Sequence, residues 1–239
     1  MKALILAAGV GKRLWQVTQH RPKCLIEIGG QSLLHRYLAA LASVGIRRVD
    51  IVVGYKQEMI RAAVERDSCG VIVTFLVNEQ FHRGSISSLW VARTALDDDV
   101  IIMDADVLFH REILRRLVAS LYENALLMDE TVRQTGEECM VVVAGGRVIA
   151  LTKKMPAHYD YAGEGVGFLK VKHADTPHIV ASLRSCIEKE AWNMEYEDAL
   201  LEYFRDVKVG YEKIGGLPWT EIDFVEDVRK AELEVLPRL

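Results

Sequence analysis

Gly9 and Gly11, followed at once by Lys12 and Arg13 and ten residues later by Lys23 in a Pro22-Lys23-Cys24-Leu25 run, are residues suited to holding a polyanion. Glycine permits positive φ and lets backbone N–H groups come close to phosphate oxygens, while three cationic side chains supply the charge that a triphosphate requires. With Leu6, Ala7 and Ala8 leading into the turn, this stretch is the expected nucleotide cradle. A second constellation, Asp104-Ala105-Asp106, follows directly on an apolar run, at the kind of strand end where open α/β sheets place their ligands. A third lies around Asn78, Ser85 and Ser88, whose small or amide side chains can read a base edge by hydrogen bonds, although such serines equally serve as helix caps. The second half of the chain offers Tyr159, Tyr161, Trp192, Tyr196 and Trp219 beside Glu195, Glu197 and Asp198. Aromatic faces with acids are a means of holding an ammonium or quaternary amine, against the common use of such aromatics as core anchors.

These residues need strands that end at one edge and helices that pack over them. Residues 3–8 form a continuous apolar run, as for a parallel strand buried on both faces. Leu33, Leu34, Tyr37, Leu38 and Leu41 recur at helical spacing before Gly45, and residues 49–53 and 71–77 read as strands flanking a helix over 57–66. Alternation of strand and helix implies right-handed crossovers and a parallel sheet. Further on, the pattern predicts helices over 87–96 and 111–122, strands over 100–103, 125–128, 140–144 and 148–152, and a loop over 155–164. A strand over 166–171, helices over 174–190 and 197–205, a strand over 207–213 and a charged helix over 225–236 complete the reading. Gly145-Gly146-Arg147 marks a hairpin, so the sheet becomes mixed. The expected fold is α/β, a three-layer Rossmann-like domain with a mostly parallel, mixed central sheet. With no repeat or linker, one domain over 1–239 is expected, its nucleotide-binding half 1–110 and its acceptor-binding half 111–239.

With half of its residues hydrophobic, about a quarter charged and a net charge of −4, the chain lacks the clustered basic face of a nucleic-acid binder. Cys24, Cys69, Cys139 and Cys186 lack the paired spacing of zinc or redox motifs and read as reduced thiols, and no apolar run suits a membrane span. A cytoplasmic protein without nucleic-acid or membrane partners is expected; a homo-oligomer stays open.

Leu6-Ala7-Ala8-Gly9-x-Gly11-x-Arg13-Leu14, then Pro22-Lys23, then Gly45-Ile46 and an apolar strand ending in Gly54-Tyr55, resembles the nucleotidyltransferase superfamily of GT-A-like fold. Ser88-Leu89-Trp90, Asp104-Ala105-Asp106, Tyr196 with Asp198, and Glu221-Ile222-Asp223 are most similar to the phosphocholine-type cytidylyltransferases, with aminoethylphosphonate and inositol-phosphate enzymes as near relatives. Lys12 stands where that family carries Ser or Thr, and the Leu-Gly-Asp of sugar nucleotidyltransferases is absent. The resemblance implies transfer from CTP, or another nucleoside triphosphate, to a small phosphorylated or phosphonate acceptor such as a phosphocholine-like or aminoalkylphosphonate compound. It implies Mg2+ held by Asp106 and Asp223, a ribose or orienting role for Asp104, Lys23 at the α-phosphoryl, and Arg13 and Lys12 on the departing pyrophosphate. Tyr196 and Asp198 carry the acceptor assignment, with Glu195, Trp192 and Tyr159 around them. The alternatives are a sugar-1-phosphate or inositol-phosphate nucleotidyltransferase and a nucleotide-sensing regulatory homologue.

Overall fold

The structure, a computed structural model, describes residues 1–132 and 134–239. The first half runs β1 (Lys2–Ala7), α1 (Trp15–Thr18), β2 (Glu27–Ile28), β3 (Gln31–Ser32), α2 (Leu33–Ser43), β4 (Arg48–Val53), α3 (Gln57–Arg66), β5 (Ile72–Val77), α4 (Ile86–Val91) and β6 (Val100–Asp104). There follow β7 (Val107–Phe109), α5 (Arg111–Ala119), β8 (Ala125–Asp129), β9 (Met140–Ala144), β10 (Arg147–Thr152), β11 (Tyr161–Val171), α6 (Thr176–Glu188), α7 (Tyr196–Ala199), α8 (Leu201–Asp206), β12 (Gly210–Lys213), β13 (Trp219–Glu221) and α9 (Val225–Lys230).

β5, β4, β1 and β6 lie side by side and parallel, and β11 then joins β6 antiparallel, so the sheet is mixed and mostly parallel in its nucleotide half. The apolar run of β1 serves both faces. Ile5 packs on one side with Tyr37, Leu38 and Leu41 of α2 and Leu114 of α5, and Leu4 on the other with Leu89 of α4, Leu183 of α6 and Phe204 of α8. Two helical layers thus enclose the sheet. Tyr37, Phe109 and Phe168 meet edge to face with ring centroids 4.9 to 5.8 Å apart, filling the space beneath the carboxyl end of β6.

Several elements differ from their sequence expectation. β11 starts at Tyr161, inside the expected loop 155–164, and its N-terminal part pairs with β9 while its C-terminal part pairs with β6. Glycines at 163, 165 and 167 erase the side-chain alternation that would mark a strand, and close packing requires them: a Cβ at Gly163 would lie 2.6 Å from the Asp129 carbonyl oxygen. The expected helix 111–122 stops at Ala119, where Ser120 turns extended and its carbonyl accepts from Lys170 Nζ at 2.9 Å. The helix over 197–205 is two short helices meeting at Leu200, and the strand expected over 207–213 begins at Gly210. The final helix is α-helical only to Lys230 and continues as a π-helical turn over Ala231–Val235. The three-residue strands β7 and β13 pair antiparallel outside the main sheet, a ribbon too short to show a period in sequence.

Gly167 has φ +78, and a Cβ there would lie 2.6 Å from Asp104 Oδ2. Gly167→Ala should therefore lower stability by at least about 1 kcal/mol from backbone conformation alone, with crowding of Asp104 added. Urea unfolding measures this, and an unchanged midpoint would show that β11 relaxes without consequence.

Candidate active site

β1 and β6 are adjacent and in register, with Leu6 opposite Asp104, so the glycine turn after β1 and the Asp104-Ala105-Asp106 segment leave the sheet together. Crossovers run away from this point in both directions, to β4 on one side and β6 on the other, which opens a crevice there. Gly11 takes the left-handed conformation at φ +66, with its would-be Cβ 3.1 Å from Thr18 Cγ2, whereas Gly9 needs no positive φ. The Thr18 hydroxyl reaches the Gly11 and Leu14 carbonyls at 3.0 and 3.1 Å and ties the turn to α1. Pro22 starts a single 3-10 turn over Lys23–Leu25 that buries Cys24 in the core, and Lys23 lines the crevice.

Lys23 Nζ donates to Asp106 Oδ2 at 2.7 Å and to Asp223 Oδ1 at 2.5 Å, and Arg13 Nη1 donates to Asp223 Oδ2 at 3.2 Å. The two aspartates are brought together by the ribbon. Asp106 precedes β7 and Asp223 follows β13, with Glu221 opposite Val107 and the Ile222 N–H donating to the Asp106 carbonyl at 3.0 Å. On the far side of Asp106, the Val107 N–H donates to the Tyr37 hydroxyl at 3.0 Å. Asp223 does not cap α9. Asp227 reaches back to the N–H groups of Asp223 and Phe224 at 2.8 and 2.7 Å, which leaves the Asp223 carboxylate to Lys23 and Arg13.

Burial opposes the charge on Lys23, but Asp106 and Asp223 more than offset it and hold its pKa above the ordinary lysine value. Burial also opposes ionisation of Asp223, and Lys23 with Arg13 outweighs it to leave that pKa below the usual carboxylate range. Glu221 is pushed up to about 8 by burial of its carboxyl and then by Asp106 and Asp223. Its oxygen, with one each from Asp106 and Asp223, forms a group in which all lie within 4.8 Å of one another. Asp106 Oδ1 is buried without a hydrogen-bond partner. Three hard carboxyl oxygens and a free lone pair on Asp106 fit a divalent cation such as Mg2+.

The crevice, about 650 Å³, continues from Leu6, Ala7, Ala8, Gly9, Gly11, Lys12, Arg13 and Lys23 past Ser85, Ser88, Asp104 and Asp106 to Glu195, Tyr196, Asp198 and Asp223. The sequence-predicted residues are thus mostly gathered on one surface, but their tasks differ. Asn78 is fully buried outside the crevice, spending its amide on Ser87 Oγ and Ser88 Oγ at 3.0 Å and its carbonyl on the Gln80 N–H at 2.9 Å; it shapes the loop instead of reading a base. Ser85 Oγ donates to Glu195 and accepts from the Tyr196 N–H at 2.8 Å, so it clamps two walls together. The Ala8 carbonyl is already taken by the Tyr55 N–H at 3.0 Å.

Of the expected acceptor aromatics, Tyr159 is 46% exposed and does not line the crevice. Trp192 also lies outside it, under Arg83 at 5.3 Å from guanidinium to ring centroid. Aromatic composition alone carries no direction, which is why both assignments fail. Tyr196 is buried, and its hydroxyl donates to Asp104 Oδ2 at 3.1 Å. The acids form the wall instead. Asp198 Oδ1 accepts from Thr152 Oγ1 at 3.1 Å, while Glu197 Oε2 is buried with no partner. Burial first, and then Glu195, Asp198 and Asp106, push Glu197 up to about 8; burial, Glu197, Asp106 and Glu221 raise Asp104 well above its usual value. Sequence reasoning gave Glu221 no role and missed Lys153 and Lys154, which line the crevice just after β10. The consecutive lysines at a strand end were the available signal.

A glycine turn, a bridging lysine and paired aspartates at the switch point of an α/β sheet define a nucleotidyltransferase. The chain belongs to the family of MobA-like NTP transferase domains, whose model matches residues 3–189. It is 33% identical over 134 residues to CMP-5'-(3-aminopropyl)phosphonate synthase of Streptomyces rubellomurinus, covering 56% of this chain and 21% of that protein, so it spans about a fifth of that relative's length. It is 24% identical to CTP:phosphoglutamine cytidylyltransferase of Campylobacter jejuni across 95% of this chain and 98% of that one. A solved CTP:phosphocholine cytidylyltransferase from Streptococcus pneumoniae has the same fold, with a TM-score of 0.79 at 24% identity over 97% of each chain. No helix among the described residues is long and apolar enough to cross a membrane.

The high pKa of Glu197 means that the folded protein keeps a proton that the unfolded chain releases near the ordinary glutamate value of 4.5. Its contribution to stability is full below that value and is lost as pH rises towards about 8. The thermal midpoint of the ligand-free protein should therefore fall more steeply from about pH 5 to about pH 8 than that of Glu197→Gln, which cannot ionise. Parallel curves for the two proteins would place Glu197 in ordinary solvent.

Proposed function

We propose that the protein is a magnesium-dependent cytidylyltransferase that joins CTP to a small acceptor carrying a phosphate or phosphonate at one end and an ammonium at the other. Pyrophosphate is released, and the product is CDP-linked from a phosphate or CMP-linked from a phosphonate. The observation that carries this reading is the crevice itself, with Lys23 between two carboxylates beside the glycine turn and the unpaired Glu197 carboxylate on the opposing wall. The names of the relatives support it, since they pair CTP or CMP with an aminoalkylphosphonate and with phosphoglutamine.

In the reaction an acceptor oxygen attacks the α-phosphorus, forming one P–O bond as the bond to the β-phosphoryl oxygen breaks. Positioning and charge neutralisation supply most of the acceleration in such transfers. Lys23 moves from its carboxylate partners to the α-phosphoryl and the incoming oxygen, and Arg13 and Lys12 hold the departing pyrophosphate. Asp106 and Asp223, with Glu221, would hold Mg2+, which when bound neutralises phosphate charge. Asp198 holds the acceptor ammonium by charge-assisted hydrogen bonds, and Glu197 joins it as the ammonium replaces the proton that burial keeps on its carboxyl. Phe81, Tyr196 and Trp219 line the crevice beside Glu195, Glu197 and Asp198, and with Tyr159 and Trp192 outside it and the Tyr196 hydroxyl committed to Asp104, the acids outweigh the aromatic faces, which favours a primary ammonium over a quaternary one.

Pyrophosphate release should require CTP, Mg2+ and an aminoalkyl phosphonate or phosphate together, with phosphocholine slower. Turnover led by glucose 1-phosphate or inositol phosphate would replace the acceptor assignment, and nucleotide binding without release across the panel would replace the enzymatic one. Lys23→Ala should lower turnover roughly 100- to 1000-fold with the fold intact. A loss below about threefold would remove Lys23 from the chemistry.

A further inference from the structure

On the face of the protein formed by α2 and α3, His35, Asp67 and Cys69 converge. His35 lies in the first turn of α2, and Asp67 and Cys69 lie in the turn between α3 and β5. Cys69 Sγ is 3.7 Å from His35 Nδ1 and 3.8 Å from His35 Nε2, so it lies against the ring and not along one nitrogen's lone pair, and His35 Nδ1 is 3.6 Å from Asp67 Oδ2. All three donor atoms lie within 4.8 Å of one another. A tetrahedral zinc ion with bonds of about 2.0–2.3 Å to N, O and S sets its ligands about 3.4–3.6 Å apart. The Nδ1–Sγ and Nδ1–Oδ2 separations lie within a few tenths of an ångström of that edge length, and rotation of the His35 ring about its side-chain bond would turn the Nδ1 lone pair onto an ion held between them.

The turn is built to present these atoms. Cys69 adopts φ +54 and Gly70 φ +73, a pair of left-handed residues that bends the chain sharply back toward α2. Asp67 Oδ1 accepts from the Cys69 N–H at 2.8 Å, which fixes the loop through one oxygen and leaves Oδ2 facing His35. The Ser32 hydroxyl accepts from the His35 N–H at 3.2 Å, holding the first turn of α2. His35 and Asp67 also line a surface cleft of about 720 Å³ between α2 and α3, so an ion and a water ligand can reach the group from solvent.

We infer that His35, Asp67 and Cys69 form a second, separate metal site for a borderline-soft divalent cation such as Zn2+, with water in the fourth position. Thiolate, imidazole and carboxylate together suit zinc and its substitutes far better than magnesium. Binding releases the thiol proton, so affinity strengthens with rising pH. The bound ion clips the α3–β5 turn to α2, some distance in sequence from the glycine turn and the aspartate pair. Sequence spacing concealed the site, because His35 and Cys69 are 34 positions apart and share no motif.

Co2+ titration of the purified protein in the presence of excess Mg2+ provides the test. The expected result is a thiolate-to-cobalt charge-transfer band in the near ultraviolet, together with visible d–d absorption of tetrahedral intensity, saturating at one ion per chain and bleached by Zn2+. Both features should vanish in Cys69→Ser and weaken at least tenfold in apparent affinity in His35→Ala, while persisting in Cys139→Ser. No charge-transfer band in the wild-type protein, or a band that survives Cys69→Ser, would overturn the assignment and leave a thiol–imidazole contact.

Discussion

The structure of the crevice depends on one buried ammonium. Lys23 sits between Asp106 and Asp223, in a cleft that also contains Asp104, Glu197 and Glu221, and without a cation there the paired carboxylates would repel each other in a poorly solvated space. That ammonium is placed by backbone turns and by the side chains that hold them. Pro22 and the turn after it direct the lysine, the Tyr37 hydroxyl holds the chain beyond Asp106, and Asp227 frees Asp223 from capping duty. The ribbon of β7 and β13 then sets the spacing between the two aspartates.

From this centre the charge divides by task. Lys12 and Arg13 come from the turn after β1 and Lys23 from the 3-10 turn after α1, and all three line the part of the crevice suited to a triphosphate. The acids of the opposing wall are only partly neutralised, and the proton that Glu197 keeps to about pH 8 stands in for a missing positive charge. The proposed substrate pair, one polyanionic and one carrying an ammonium, matches a crevice with opposite polarities at its two ends.

The glycine turn and Asp106 were legible in sequence because both are local: a buried strand, then glycines and cations, or a buried strand and then acids. Asp223 was legible only through resemblance, since its partners lie two hundred positions away. Glu221 went unassigned for the same reason; its role exists only once the ribbon forms. β11 was misread in part because glycines where the Asp129 carbonyl and Asp104 approach leave no side-chain period. Tyr159 and Trp192 show the opposite failure, since residue type suggested a cage and only the packing could show that they point elsewhere. Asn78 and Ser85 lay in the right segment, but their hydrogen bonds go to building it.

The ribbon has a consequence for the order in which the protein comes into being. Lys23 is synthesised 200 positions before Asp223, and the parallel strands β1, β4, β5 and β6 can pair while the residues of β13 are still absent. Long-range pairing of this kind is slow to form, so the crevice closes as a late event on an already folded scaffold. The scaffold can start to fold early, but catalytic competence arrives only when two three-residue strands meet.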